Sequence, residues 1–189
     1  MTQSRLDKLN ASLSTGKLDS VILNPGPTLT YLTGLHFHLM ERPVVLLFAK
    51  DQIPALVLPE LELQKVADLP YKLQVFSYSE DPSEWDNAFR KAAQALGLDG
   101  KRIGVEPRQL RLLEFNYVKN AAPEADFPDA SEALSQLRLR KDKMEVEAMR
   151  RAVQIAQSAL EATIPLIKIG MTEKELAAEL IMQLFKHGS

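Results

Sequence analysis

The sequence predicts a layered α/β domain with a mixed sheet over residues 1 to about 130, followed by two long helices. Three observations predict it. Short apolar runs of strand length (44–49, 53–58, 73–78) alternate with stretches of helical periodicity. Glycine and proline clusters punctuate them. After Ser131 the apolar residues recur only at three- and four-residue spacing, as on one face of a helix.

Taken in order, Leu6, Leu9 and Leu13 mark an opening amphipathic helix, stopped by Gly16. Val21-Ile22-Leu23 is a short buried strand, ended by Asn24-Pro25-Gly26-Pro27, where two prolines and a glycine forbid regular structure. The runs 44–49 and 53–58 read as strands, and the short polar link Lys50-Asp51-Gln52 makes them a hairpin. Residues 73–78 alternate apolar and polar like a half-buried strand. Pro82 starts a helix carrying Trp85, Phe89, Ala92, Ala93 and Leu96, closed by Gly97. Ile103-Gly104-Val105 is a further strand, 110–118 a further helix, and 126–129 an edge strand kept off the sheet centre by Pro128. A long helix follows over 142–167, with Val146, Met149, Val153, Ala156, Leu160, Thr163 and Ile167 in one stripe. Asp142 and Glu145 form its capping box, and Pro165 kinks or ends it. Thr172 and Glu175 cap the next helix, where Met171 can staple to Leu176 and the face is Leu176, Leu180, Ile181 and Leu184.

Composition narrows the function classes. The 189 residues are 46% hydrophobic, enough for one domain and part of a second. The net charge of −2 comes without a basic block, which disfavours nucleic acid and anionic membranes as partners. With no cysteine, disulfides and thiolate-ligated metals are excluded. The start of the chain is polar and lacks the apolar core of a secretory signal, and the run 44–49 is too short to span a bilayer. The expectation is a soluble, cytoplasmic protein.

His36-Phe37-His38 is the best-looking ligand pair, because residues i and i+2 of an extended chain project to one side. Glu41 is the only evident third ligand, so the favoured reading is loop histidines after a Gly34 turn. Glu175 and Glu179 share a helix face, but opposite the leucine stripe, which favours solvation over metal binding. Arg138, Arg140, Lys141 and Lys143 read as a solvated linker. No G-x-S-x-G elbow, P-loop or G-x-G-x-x-G is present.

The stretch Leu139-Arg140-Lys141-Asp142-Lys143-Met144-Glu145-Val146-Glu147-Ala148-Met149-Arg150-Arg151-Ala152 resembles the linker and first catalytic-domain helix of the creatinase/Xaa-Pro aminopeptidase/prolidase family. Ile169-Gly170-Met171-Thr172-Glu173-Lys174-Glu175-Leu176 is similar to that family's "GMTE" helix start, and Asn24-Pro25 with Tyr31-Leu32-Thr33-Gly34 to its "N…YLTG" turn. The resemblance implies a three-layer, ribonuclease H-like N-terminal domain at 1–131, a linker at 132–141, and at 142–189 the opening of an incomplete pita-bread metallopeptidase domain. For the parent protein it implies hydrolysis of Xaa-Pro bonds by two divalent metal ions (Mn, Co or Zn), a peptide substrate with proline at the second position, and a homodimer. The family's two Asp, one His and two Glu ligands lie beyond the GMTE helix. The resemblance therefore implies no catalytic residue, metal ligand or bound cofactor in this chain. It places the segment after YLTG near an active-site mouth, where His36, His38, Glu41 and Arg42 could contact a peptide terminus or proline ring; an arginine holds a carboxylate with two parallel hydrogen bonds, though Arg42 could equally form an ordinary ion pair with Glu41 or another carboxylate. The alternatives are a non-catalytic peptidase-like binding module and a creatinase-like C–N hydrolase.

Overall fold

The computed structural model describes residues 3–189. The chain forms two units, divided between Leu139 and Arg140. The first is built on a five-stranded sheet of order β4-β3-β2-β1-β5, with β1 at Ser20–Leu23, β2 at Val45–Ala49, β3 at Ala55–Pro59, β4 at Gln74–Tyr78 and β5 at Ile103–Gly104. β2 runs antiparallel to both neighbours, while β3–β4 and β1–β5 are parallel. The sheet is therefore mixed, and β2 alone runs against the other four strands.

The central strands are continuously apolar because both faces are covered. Val21 and Leu23, Leu46 and Phe48, Leu56 and Leu58 face one core, with Leu9 and Leu13 of α1 (Gln3–Thr15), Leu29 and Leu32 of α2 (Pro27–Thr33), and Leu134 and Leu137 of α5 (Ser131–Leu139). The alternate residues Ile22, Val45, Leu47, Ala55 and Val57 face the other, with Trp85, Phe89, Ala92 and Ala93 of α3 (Pro82–Ala95) and Val118 of α4 (Leu112–Ala121). That is three layers, helix on sheet on helix. Phe89 is fully buried, and emptying such a site to alanine costs about 3–5 kcal/mol.

Several local expectations hold, and others shift for identifiable reasons. The 50–52 link makes the β2–β3 hairpin, with Asp51 in a left-handed conformation at φ 59°. The irregular turn at 24–27 leads straight into α2, a helix the sequence reading did not include. Pro27 opens it, a position where proline's missing N–H is not needed. Gly34 closes it at φ 76°, donating its N–H to the Thr30 carbonyl at 2.7 Å. The 126–129 stretch is not a full strand. It runs along β5 through Ile103 N–H to the Asp126 carbonyl (2.8 Å) and Val105 N–H to the Pro128 carbonyl (2.9 Å). Pro128 thus serves as an acceptor only, as an edge position allows.

The segment 132–141, expected as a linker, is mostly the helix α5. Its Leu134 and Leu137, three apart, are buried against α1, and Asp129 accepts the Ser131 N–H at 2.7 Å where the helix begins. Charged residues on its exposed side mask this apolar pair in the sequence. The unit consequently runs to Leu139 rather than to residue 131.

The second unit contains α6 (Lys143–Thr163), a 3-10 turn at Ile164–Leu166 holding Pro165, and α7 (Glu173–Lys186). Both capping boxes form: Asp142 with Glu145, and Thr172 with Glu175. The long helix ends at Thr163, two residues before the proline whose ring displaces the carbonyl four positions back. Ala159, Thr163 and Gln183 are buried where α6 and α7 meet, and Ile155, Leu176, Leu180 and Leu184 are half-buried. Glu179 is half-buried and accepts a hydrogen bond from Gln183 Nε2 at 2.8 Å, so it is not on a solvated face. Most of the α6 stripe is outside: Met149, Val153, Leu160 and Ile167 are each more than half exposed. Among the described residues no helix is long and apolar enough to cross a membrane.

Candidate functional site

The carboxyl ends of β1, β3, β4 and β5 and the start of β2 all lie at one end of the sheet, as the register requires. In open α/β sheets this is where ligands bind. The segment 35–43, between α2 and β2, crosses that end. Leu35 and Phe37 are buried, while His36, His38, Leu39, Met40 and Glu41 are exposed and Arg42 is half-buried. The alternation from 35 to 38 leaves both histidines exposed, between the buried Leu35 and Phe37.

The segment is tied down along its length. Thr30 Oγ1 donates to the Leu35 carbonyl at 3.0 Å and Lys65 Nζ to the His36 carbonyl at 3.3 Å. Arg111 Nη1 donates to the Met40 carbonyl at 2.7 Å, and the Tyr78 hydroxyl to the Pro43 carbonyl at 2.7 Å. Arg42 is engaged by Glu80, at the end of β4, through Nε at 2.9 Å and a second, shorter contact from Nη2. The Glu80 hydrogen bond holds the Arg42 proton more firmly than usual, against a smaller desolvation that works the other way. The pair lies at the surface, where water screens it and it contributes little to stability.

Behind the segment lies an unusual buried group. Glu114, in the first turn of α4, is fully buried. Its carboxylate takes Arg111 Nε on both oxygens, at 3.0 and 3.1 Å, and a shorter contact from Nη2. Tyr78, whose phenol feels the Glu114 charge, belongs to an aromatic chain with centroid distances of 5.1 Å (Tyr78–Trp85), 6.4 Å (Trp85–Tyr117) and 4.8 Å (Phe89–Tyr117). Burial pushes the Tyr78 phenol well above its ordinary value, opposed by nearby Arg42 and reinforced by Glu114. At the same end Thr28 Oγ1 donates to Glu106 at 2.9 Å. Asn24, which closes β1, is buried, and neither atom of its amide has a hydrogen-bond partner among the described residues.

The structure thus brings His36, His38, Glu41 and Arg42 onto one exposed segment, and it gives Arg42 a partner, Glu80, that the sequence did not single out. Glu80, Arg111, Glu114 and Tyr78 were all missed. Arg111 and Glu114 carry a readable signal, an opposite-charge pair three apart at a helix start. Glu80 is 38 residues from Arg42, and no local pattern links them. Among the described residues no group of three or more His, Cys, Asp or Glu could hold a metal ion, so a two-metal centre does not fit these residues.

Comparison with known proteins places this geometry. The Creatinase/Prolidase N-terminal domain model matches residues 5–140. An Xaa-Pro dipeptidase of Lactobacillus helveticus is 29% identical over 184 residues, covering 95% of this chain and 49% of that protein. A dipeptidase from Pyrococcus horikoshii OT3 superposes with a TM-score of 0.79 at 27% identity, over 96% of this chain and 49% of its own. A proline dipeptidase structure from Streptococcus pneumoniae, 29% identical, is matched over its whole length by 75% of this chain with a TM-score of 0.61. The chain spans about half the length of the curated relatives it matches. Its three-layer sheet domain, its loop at the carboxyl edge and the match over 5–140 together make it a member of the creatinase/prolidase N-terminal domain family.

Proposed function

We propose that this chain is the N-terminal part of a cytoplasmic, metal-dependent Xaa-Pro peptidase, and that it shapes the substrate pocket and the homodimer interface. The observation that carries this reading is the exposed 36–42 segment at the carboxyl edge of the sheet. His36, His38 and Glu41 are offered to solvent there, and Arg42 is held by a weak, displaceable Glu80. Its relatives' names supply the substrate class, a peptide with proline in second position. Arg42 would exchange Glu80 for the carboxylate of such a peptide, keeping a charge-assisted fork. His36 and His38 would line the same approach. In this reading the metal ions are held by other residues of the parent protein, and this chain supplies part of the pocket wall.

The complete product of the reading frame that contains this chain, supplied with manganese, should release proline from an Xaa-Pro dipeptide. Arg42→Gln should raise KM about tenfold or more with a smaller effect on kcat, since a charged hydrogen bond is worth about 1.5–3 kcal/mol. An unchanged KM would remove Arg42 from the pocket. Failure to cleave any Xaa-Pro peptide would overturn the reading as a whole.

A further inference from the structure

We infer that Arg111, locked by the buried carboxylate of Glu114, is the positioning residue for the 39–42 tip of the candidate substrate segment. A fully buried carboxylate is tolerated only when paired and hydrogen-bonded. Glu114 meets that requirement with the guanidinium three residues before it, taking Nε and Nη2. The guanidinium is planar and presents its donors in a rigid fork. Once Nε and Nη2 are committed, the direction of Nη1 is set, and it points at the Met40 carbonyl, 2.7 Å away.

The other ties do not do this. Thr30 and Tyr78 hold the two ends, at Leu35 and Pro43. Between them, Lys65 reaches His36 as a flexible exposed ammonium at 3.3 Å, and Arg42–Glu80 is an exposed pair. Among the described hydrogen bonds, Arg111 to Met40 is the tie between residues 36 and 42 whose donor is itself anchored to a buried group. The side chains here, Leu39, Met40 and Glu41, are exposed and belong to neither core. Their backbone position is therefore set from behind, through one guanidinium. The consequence for substrate binding rests on the function proposed above; the positioning itself is a property of this chain alone.

The test is backbone 15N relaxation on the 189-residue chain and two variants. Arg111→Lys keeps a cation beside Glu114 but lacks the fork. The double variant Arg111→Met/Glu114→Leu removes the buried charge together with its partner, an exchange that is often neutral for stability. In both, the order parameters of the Met40, Glu41 and Arg42 amides should fall from about 0.85 to below about 0.6, while those of β2 and β3 stay near 0.85. Glu80→Gln should leave Met40 unchanged. A tip as rigid as wild type in either folded variant would overturn the proposal. So would equal loosening of tip and strands, or loss of the fold in both variants, since the pair would then stabilise the domain rather than place the loop. No peptide enters this measurement, so failure of the substrate reading would leave it standing.

Discussion

Gly104 and Ala130 approach each other so closely that a Cβ on the glycine would lie 2.7 Å from the Ala130 Cβ and 2.9 Å from Leu18 Cδ1. Ala130 is 1% exposed and begins the turn into α5, so it has little room to retreat. Gly104→Ala should destabilise the first unit by about 1–3 kcal/mol, the usual cost of overpacking a core. Urea unfolding followed at Trp85 reports this. A wild-type midpoint would mean that the 126–130 edge shifts freely.

Alkaline pH should weaken the same unit through Tyr78. Burial raises its folded-state pKa above the ordinary value of about 10. The folded chain then keeps a proton that the unfolded chain releases. Stability is therefore unaffected below about pH 10 and falls as pH rises beyond it. Tyr71 and Tyr117 shift the same way, again mainly by burial. Tyr78→Phe should cost about 0.5–1.5 kcal/mol at neutral pH, from the lost bond to Pro43, and should flatten the alkaline decline in part. An equally steep decline in Tyr78→Phe would assign it to the other phenols.

The Thr172–Glu175 box makes α7 sensitive to acid. Hydrogen bonds from Thr172 lower the Glu175 pKa. That contribution is fully present above the ordinary glutamate range and is lost as pH falls below that range through the lowered folded-state value. Thr172→Ala should weaken the helix by about 1 kcal/mol. Hydrogen exchange in the first turn of α7 should speed up both in this variant and in wild type taken from pH 6 to pH 3.5. Insensitivity to pH with a response to the mutation would mean that the threonine hydroxyl alone caps the helix.

The uncovered α6 stripe should make the chain self-associate. Met149, Val153, Leu160 and Ile167 leave apolar surface in water, at about 25 cal/mol per Å². Light scattering should show a concentration-dependent mass for residues 1–189, and a smaller, folded monomer after deletion of 140–189. A strictly monomeric full chain with both helices fully protected from exchange would rule this out.

What the sequence revealed follows a physical division. Strands buried on both faces announce themselves as apolar runs, so β1, β2 and β3 could be read directly, as could both capping boxes, whose partners sit three residues apart. α5 was hidden because two leucines in a charged stretch make a narrow face that only α1 explains. That His36 and His38 share one side was legible from their i, i+2 spacing; that this side faces solvent was not, because it depends on Leu35 and Phe37 being buried. The partners that fix the segment were not, because Arg42–Glu80 and Arg111–Met40 join residues 38 and 71 positions apart. The α6 stripe was read correctly as apolar, but of its members only Thr163 is buried, together with Ala159 outside the stripe, while most of the rest is exposed.

The pairing of α1 with α5 has a topological consequence. Leu18 and Ala130 both flank Gly104, and farther back Ser12 Oγ donates to the Ala133 carbonyl, so the two helices run in opposite directions. The beginning of α1 is thereby brought beside the end of α5. Both helices belong to the layer on the same side of the sheet. The first unit can be re-opened elsewhere: joining Gln3 to Leu139 by a short flexible bridge and starting the chain in the Lys50–Gln52 turn would preserve every strand pairing except the hairpin's own covalent link.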